Sequence, residues 1–142
     1  MGIRGISGPA TSYYSKFAEI ADVAIQTGVL DRIAGETIQG HSVVVSGTDG
    51  LIYKVDNTDV SNYGRVLGIT DKAYIVSSLM DVISSGVVSD PSFNFNPGSP
   101  LFFNSTGQIT ETPPTTGFLQ NIGHAIDATH IIIELKTPIQ LT

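Results

Sequence analysis

Three histidines and a few clustered acids are the residues whose types and spacing could do chemistry. His124 and His130 bracket Asp127, a set that could in principle ligate a small metal ion. Their spacing fits no helical ligand pattern, and the segment is typical of a turn between strands, which favours solvent-facing or hydrogen-bonded histidines. No serine lies in a Gly-x-Ser-x-Gly elbow. Without cysteine the chain also has no thiol nucleophile, disulfide or thiolate metal site.

One loop carries the remaining candidates for acid chemistry. Asp56 and Asp59, with Asn57 beside them, could pair as glycosidase carboxylates or offer oxygen ligands to Ca²⁺. Asp and Asn in loops more often accept local hydrogen bonds that form turns, and this interpretation is favoured. We therefore expect a protein that is not an enzyme and needs no cofactor.

Charge excludes further classes of function. The chain has seven Lys and Arg residues against 13 Asp and Glu residues, and the basic residues form no cluster in the sequence. Nucleic-acid binding is therefore not expected. The longest apolar run, Ile131–Ile133, is too short for a membrane helix, and the N-terminus is not typical of a signal peptide. Only 14% of the residues are charged, although 41% are hydrophobic. Such a chain folds and suits burial against partner subunits, because charged residues are depleted at interface cores.

The elements that must position these residues are strands from residue 36 onward. Ser42–Ser46 and Leu51–Val55 flank an Asp-Gly turn, the strongest hairpin signal in the chain. Phe118–Ile126 and Thr129–Lys136 form the last predicted strand pair, whereas Lys72–Val88 is ambiguous between strand and helix. Turn signals every 8–12 residues predict an all-β fold over 36–142, a small β-barrel or β-sandwich of short antiparallel strands.

Residues 1–35 are predicted to form a separate attachment or oligomerisation segment. Met1–Pro9 is Gly-rich and indicates an extended arm, and Ser12–Gly28 fits a short amphipathic helix capped by Ser12 and Gly28. The helix would lie on its own domain or associate with copies of itself. An extended β-arm over Ala21–Val29 is the other alternative. The candidate interface residues are Ile3, Arg4, Tyr13, Phe17, Ile20 and Ala24.

The later segments contain short sequence motifs in a characteristic order. Pro97–Phe103 (PGSPLFF) is followed by Thr112–Thr115 (TPPT) and Gly117–Ile126 (GFLQNIGHAI), and Gly50–Thr70 supplies an earlier Asp-Gly-x-Ile-Tyr and Arg-Val-Leu-Gly-Ile-Thr. This order resembles a small β-module of tailed-bacteriophage virion proteins, found in tail fibres, head or neck fibres and capsid-decorating proteins. The resemblance covers about residues 36–140 and does not extend to residues 1–35.

The resemblance implies a structural virion protein. We expect a capsid decoration (cement) or head-fibre protein, a homotrimer that binds the assembled head through the major capsid protein or another virion protein. It would be found in the virion, and in the host cytoplasm during assembly. The alternative is a tail-fibre or receptor-binding module, and a depolymerase is the least favoured class. In a carbohydrate-binding module, exposed aromatics would stack on sugars, unless they are packing residues: Tyr53, Tyr63, Phe93 and Phe95.

Overall fold

A computed structural model describes residues 27–141, which fold almost entirely into short strands. The only helical turn in this range is a 3₁₀ turn at Val60–Asn62. The predicted all-β class is therefore confirmed. The strands are β1 (Thr27–Ile33), β2 (Val43–Ser46), β3 (Ile52–Lys54), β4 (Val66–Thr70), β5 (Leu79–Ser89), β6 (Pro100–Phe103), β7 (Ile109–Thr110), β8 (Phe118–Leu119), β9 (Gly123–Ala125), β10 (His130–Glu134) and β11 (Ile139–Gln140).

Nine of these strands form one antiparallel sheet. Its order is β3-β2-β4-β5-β10-β9-β6-β7, with β1 joined to β5 outside this path. The remaining two strands, β8 and β11, pair only with each other. The strands β3, β2 and β4, which begin this order, are also consecutive along the chain, and loops connect them directly.

The long strand β5 is the junction of the fold. Val82 and Ile83 pair with both β1 and β4, whereas Ser85 and Gly86 pair with both β1 and β10. A strand has two edges, so β4 and β10 lie along one edge of β5 and β1 covers the other. The β1 register shifts by one residue near Gly28, and the positive φ of Gly86 (106°) accompanies this bulge.

The first half of the sheet curls around a small core. After β1 the chain reaches β3, where Ala34 bridges Ile52 and the Gly35 amide donates to the Ile52 carbonyl at 2.8 Å. This bridge closes a ring of β3, β2, β4, β5 and β1. The interior of the ring, here called the first core, consists of Ala34, Ile38, Val44, Ile52, Tyr74, Met80 and Val82.

Strand β2 separates the first core from a second, larger one. Val44 points into the first core, while Val43 and Val45 point to the other side. Because β2 is buried on both faces, its sequence is a continuous β-branched run without polar alternation. The larger cluster, here called the main core, consists of Val43, Val45, Val55, Ile69, Ile83, Val88, Leu101, Phe103, Phe118, Ile122, Ala125, Ile131 and Ile133.

The sheet begins earlier than the sequence predicts. The β-domain was predicted from residue 36, but β1 already pairs with β5 from Thr27. Thr27 and Gly28 were predicted to end a helix, and they belong instead to β1. The rest of the predicted arm and helix lies outside the described residues.

Two glycines of the later segments lie where two backbones come very close together. The φ angles of Gly117 (76°) and Gly123 (145°) are positive. A β-carbon at Gly117 would collide with the carbonyl of Asn57, and one at Gly123 with the carbonyl of Ile132. Both positions therefore permit a close backbone approach that no other residue allows.

Candidate interaction surface

Exposed apolar side chains concentrate at one place on the described surface. Ten large hydrophobic residues are exposed among residues 27–141. Five of them lie together, on β1, at the start of β5 or in the turn before β5. Exposure of Leu79 reaches 66% and that of Ile75 reaches 69%. Contiguous apolar exposure of this kind marks interaction sites on soluble proteins. The group, here called the β1–β5 strip, consists of Val29, Ile33, Ile75, Val76 and Leu79.

The period of two along β1 explains why the strip is exposed. Leu30 packs against the first core, so Val29 and Ile33 point to the opposite face. On that face the main core covers β5 only as far as Ile83, which is 8% exposed. Ile33 and Leu79, directly paired in the register, lie beyond its limit.

A tight turn adds the other two members of the strip. The Ser77 amide donates to the Ala34 carbonyl at 2.8 Å, and the Ala34 amide donates to the Ser78 carbonyl at 2.9 Å. The Ser78 amide closes the turn on the carbonyl of Ile75 at 3.2 Å. These bonds hold Ile75 and Val76 against the end of β1.

Two carboxyl groups lie opposite each other within the strip. Asp31 and Asp81 are partners in the β1–β5 register, two pairs along from Ile33 and Leu79 and therefore on the same face of the sheet. A hydrogen bond with Asp31 is the main cause that raises the pKa of Asp81, followed by burial and by the negative charges of Asp31 and Asp71; Lys72 opposes these effects. Like charges directly opposed on a sheet repel. The strip thus combines apolar side chains with a site that favours a cation.

No local pattern of residues indicates this acid pair. Asp31 and Asp81 are 50 positions apart in the chain, and only the antiparallel register brings them together. The acids that the sequence singled out have another role. Asp56 accepts from the Thr58 amide and hydroxyl, and Asp59 accepts from those of Ser61.

Asn57, the third residue of that loop, is buried and structural. Its Nδ2 donates to the carbonyls of Thr116 (2.9 Å) and Phe118 (3.3 Å). It therefore fixes the Thr-Pro-Pro-Thr loop against the β3–β4 connection. The loop geometry bears out the local hydrogen bonding expected for Asp56 and Asp59.

The histidines form two separate pairs with carboxylates. His130 Nδ1 lies 2.9 Å from Asp127 Oδ1, and His41 Nδ1 lies 3.3 Å from Asp90 Oδ2. The pKa of Asp127 is lowered chiefly by its hydrogen bond with His130. His124 is exposed on β9. Within residues 27–141, no three His, Asp or Glu residues are placed to hold a metal ion.

Of the four aromatic residues predicted as stacking candidates, only two lie together. The rings of Phe93 and Phe95 are 5.3 Å apart, and His41 lies 4.9 Å from Phe93. Tyr53 donates from its hydroxyl to Asp49 at 2.5 Å and packs against the main core. Tyr63 donates to the Pro138 carbonyl at 3.0 Å and meets Phe118 edge-on.

A shallow groove runs along the Thr-Pro-Pro-Thr loop. Its volume is about 440 Å³, and eight of its eleven lining residues are Asn, Ser or Thr. No motif in the sequence predicts this groove. The groove is lined by Asn57, Thr58, Phe103, Asn104, Ser105, Thr110, Thr112, Pro113, Pro114, Thr115 and Thr116.

The predicted attachment residues Ile3, Arg4, Tyr13, Phe17, Ile20 and Ala24 all lie outside the described residues. Their segment joins the fold at Thr27, the first residue of β1. Within residues 27–141 no helix has the length and apolar character to cross a membrane. The chain matches no protein-family model, and no curated protein is detectably similar to it in sequence.

Proposed function

We propose that this chain is a structural protein of the tailed-bacteriophage virion, a capsid decoration (cement) or head-fibre protein. It binds the assembled head as a homo-oligomer, a homotrimer, and stabilises it. Its partners are its own copies and the major capsid protein or another virion protein. The observation that carries this proposal is the β1–β5 strip, an apolar surface on the strand through which residues 1–26 join the domain.

The motif residues of the resemblance support a scaffold role. Gly98 adopts a φ of 84° and donates its amide to the Ala125 carbonyl at 2.7 Å, which turns the chain into β6 at Pro100. Gly117 and Gly123 permit close approaches between backbones. Residues with these roles determine turns and register, and they leave function to the surfaces of the module.

The mode of binding follows from multivalency. A decorating protein meets many equivalent sites on a symmetric shell, and several weak contacts made together multiply affinity. Binding the assembled shell better than its free subunits stabilises the shell. The net charge of −6 also disfavours adhesion to packaged nucleic acid.

Sedimentation with purified heads tests this proposal. The full chain should sediment with heads and raise their resistance to heat or osmotic shock. Leu79→Asp should reduce sedimentation at least about tenfold, because a charge in the apolar strip weakens the homo-oligomer whose several contacts together bind the head. Ile139→Asp serves as a matched exposed control. Binding by the Leu79 variant equal to that of the unaltered chain would show that the strip does not contribute to head binding.

A tail-fibre or carbohydrate-binding role is the second candidate. The hydroxyl-lined groove and the adjacent rings of Phe93 and Phe95 favour it, because sugars bind to polar groups beside aromatic faces. Adhesion of the purified chain to host cells or their glycans, without binding to heads, would support this role instead. The groove variant Thr115→Arg would then abolish adhesion and leave the fold intact.

A further inference from the structure

We infer that the β1–β5 strip is the docking site for residues 12–26 of a second copy of this chain, so that each copy inserts its N-terminal segment into its neighbour. This inference rests on the proposed homo-oligomer and names the contact that holds it together. Three features support it: the chemistry of the strip, the chemistry of the segment and the point where the segment joins β1.

The segment and the strip are complementary in polarity. At 100° per residue, Tyr13, Phe17, Ile20 and Ala24 fall on one side of a helix. The strip offers an apolar surface of similar length, since β1 spans about 20 Å and a helix over residues 12–26 would span about 22 Å. Burial of both apolar surfaces would favour association.

The segment and the strip are also complementary in charge. Asp31 and Asp81 place two opposed carboxylates within the strip. Lys16 is the charged residue nearest the stripe on the helical projection, whereas Asp22 lies on the opposite side. A lysine set beside Asp31 and Asp81 would relieve their mutual repulsion.

The connection to β1 favours a neighbouring copy over the same chain. Only Ile25 and Gln26 separate Ala24 from Thr27, the first residue of β1. Gly28, the residue best suited to a chain reversal, is already paired with Ser85. The most exposed strip residues, Ile75 and Leu79, lie at the far end of β1. A segment that continues without reversal would leave its own strip and reach the next subunit. Such head-to-tail contacts close into a ring when the rotation between neighbours closes, as the proposed trimer requires.

Cysteine cross-linking tests the inference directly, because the natural chain contains no cysteine. The double variant Phe17→Cys with Leu79→Cys is oxidised as purified protein, without heads. We expect disulfide-linked dimers and a closed trimer on a non-reducing gel, at least fivefold above the control pair Phe17→Cys with Ile139→Cys. The inference would be overturned if every disulfide formed within one chain, or if cross-linking between chains did not exceed that of the control pair.

Charge exchange gives a second readout that does not depend on cross-linking. Lys16→Asp should weaken self-association at least about fivefold by light scattering. Combining it with Asp81→Lys should restore most of that loss, whereas combining it with Lys136→Glu should not. Absence of rescue would contradict the docking of Lys16 at the acid pair. Association without head binding would leave this inference standing and remove the proposed virion role, so the two failures are distinguishable.

Discussion

The Nδ1 atom of His41 lies 3.3 Å from Oδ2 of Asp90, and this pair ties the loop after β1 to the loop after β5. His41 also adopts a positive φ (56°), and its ring contacts that of Phe93 in a tilted arrangement, with the two centroids 4.9 Å apart. The Asp90 amide donates to the Thr129 carbonyl at 3.0 Å, so the contact extends to the β9–β10 turn. One histidine therefore connects the strand ring around the first core to the strands around the main core.

Replacing His41 by alanine should lower the free energy of unfolding by about 1–2 kcal/mol, because the ring contact with Phe93 and the Asp90 contact are both lost. Urea denaturation measures the change. His124→Ala removes an exposed histidine from β9 and should change stability by less than about 0.5 kcal/mol. Equal effects of the two substitutions would show that the His41 contacts do not stabilise the fold.

Neutralising Asp81 should stabilise the fold at neutral pH. Its pKa is raised in the folded state, so its unfavourable effect is absent at acid pH and grows as pH rises through the folded pKa. Asp81→Asn should therefore raise the urea midpoint at pH 7, and the gain should shrink toward zero near the unfolded pKa of about 3.9. Measurement at low protein concentration keeps self-association out of the comparison. A gain of the same size at every pH would contradict this origin.

The opposite dependence is expected for Asp127. Its pKa is lowered, chiefly by the hydrogen bond with His130, so its contribution is present above the unfolded pKa and is lost as pH falls. In Asp127→Asn the loss of stability between about pH 5 and pH 2 should be shallower than in the unaltered chain. Identical acid-unfolding curves would rule out the pair as a source of pH dependence.

Alanine at Gly123 should cost at least about 3 kcal/mol, since left-handed strain adds to a collision with the Ile132 carbonyl. Gly50→Ala is the matched control, because Gly50 has a φ of 83° and open space around it. That variant should lose only about 1 kcal/mol. Thermal unfolding compares the two, and similar losses would mean that the close approach at Gly123 relaxes easily.

Replacing Asn57 by alanine should destabilise the chain by about 2–3 kcal/mol, because the Thr116 and Phe118 carbonyls lose their donor in a buried site. The exposed residue Asn94 supplies the control substitution, with an expected change below about 0.5 kcal/mol. Limited proteolysis should also cut the Thr-Pro-Pro-Thr loop faster in the Asn57 variant. An unchanged cutting rate would argue against this anchoring role.

Local sequence signals predicted the hairpins well. The Asp-Gly turn between β2 and β3 and the alternation of Ile131 and Ile133 with His130 and Glu134 appear in the fold as expected. Both signals depend only on residues close together in the chain. The predicted strand Phe118–Ile126 is instead broken into β8 and β9. Gln120 and Asn121 between them donate to distant backbone carbonyls, those of Lys136 and Leu101.

Long-range pairing explains the rest of the difference. The helix predicted over Ser12–Gly28 runs into the first two residues of β1, whereas the alternative extended arm over Ala21–Val29 agrees with the strand at Thr27–Val29. No local pattern decides between them, because the partner strand β5 is distant in the sequence. β5 itself was ambiguous because it pairs with three strands and changes register at a bulge. The Asp31–Asp81 pair, central to the candidate surface, arises from that register and from no local pattern.

Strand β2, which separates the first core from the main core, couples the opening of the two cores. Val43, Val44 and Val45 belong alternately to both cores, so β2 cannot detach from one without exposing the other. Amide protons on both sides of this strand should therefore exchange with solvent through a single shared opening event. The two cores are therefore expected to unfold together, in one cooperative transition and not one after the other.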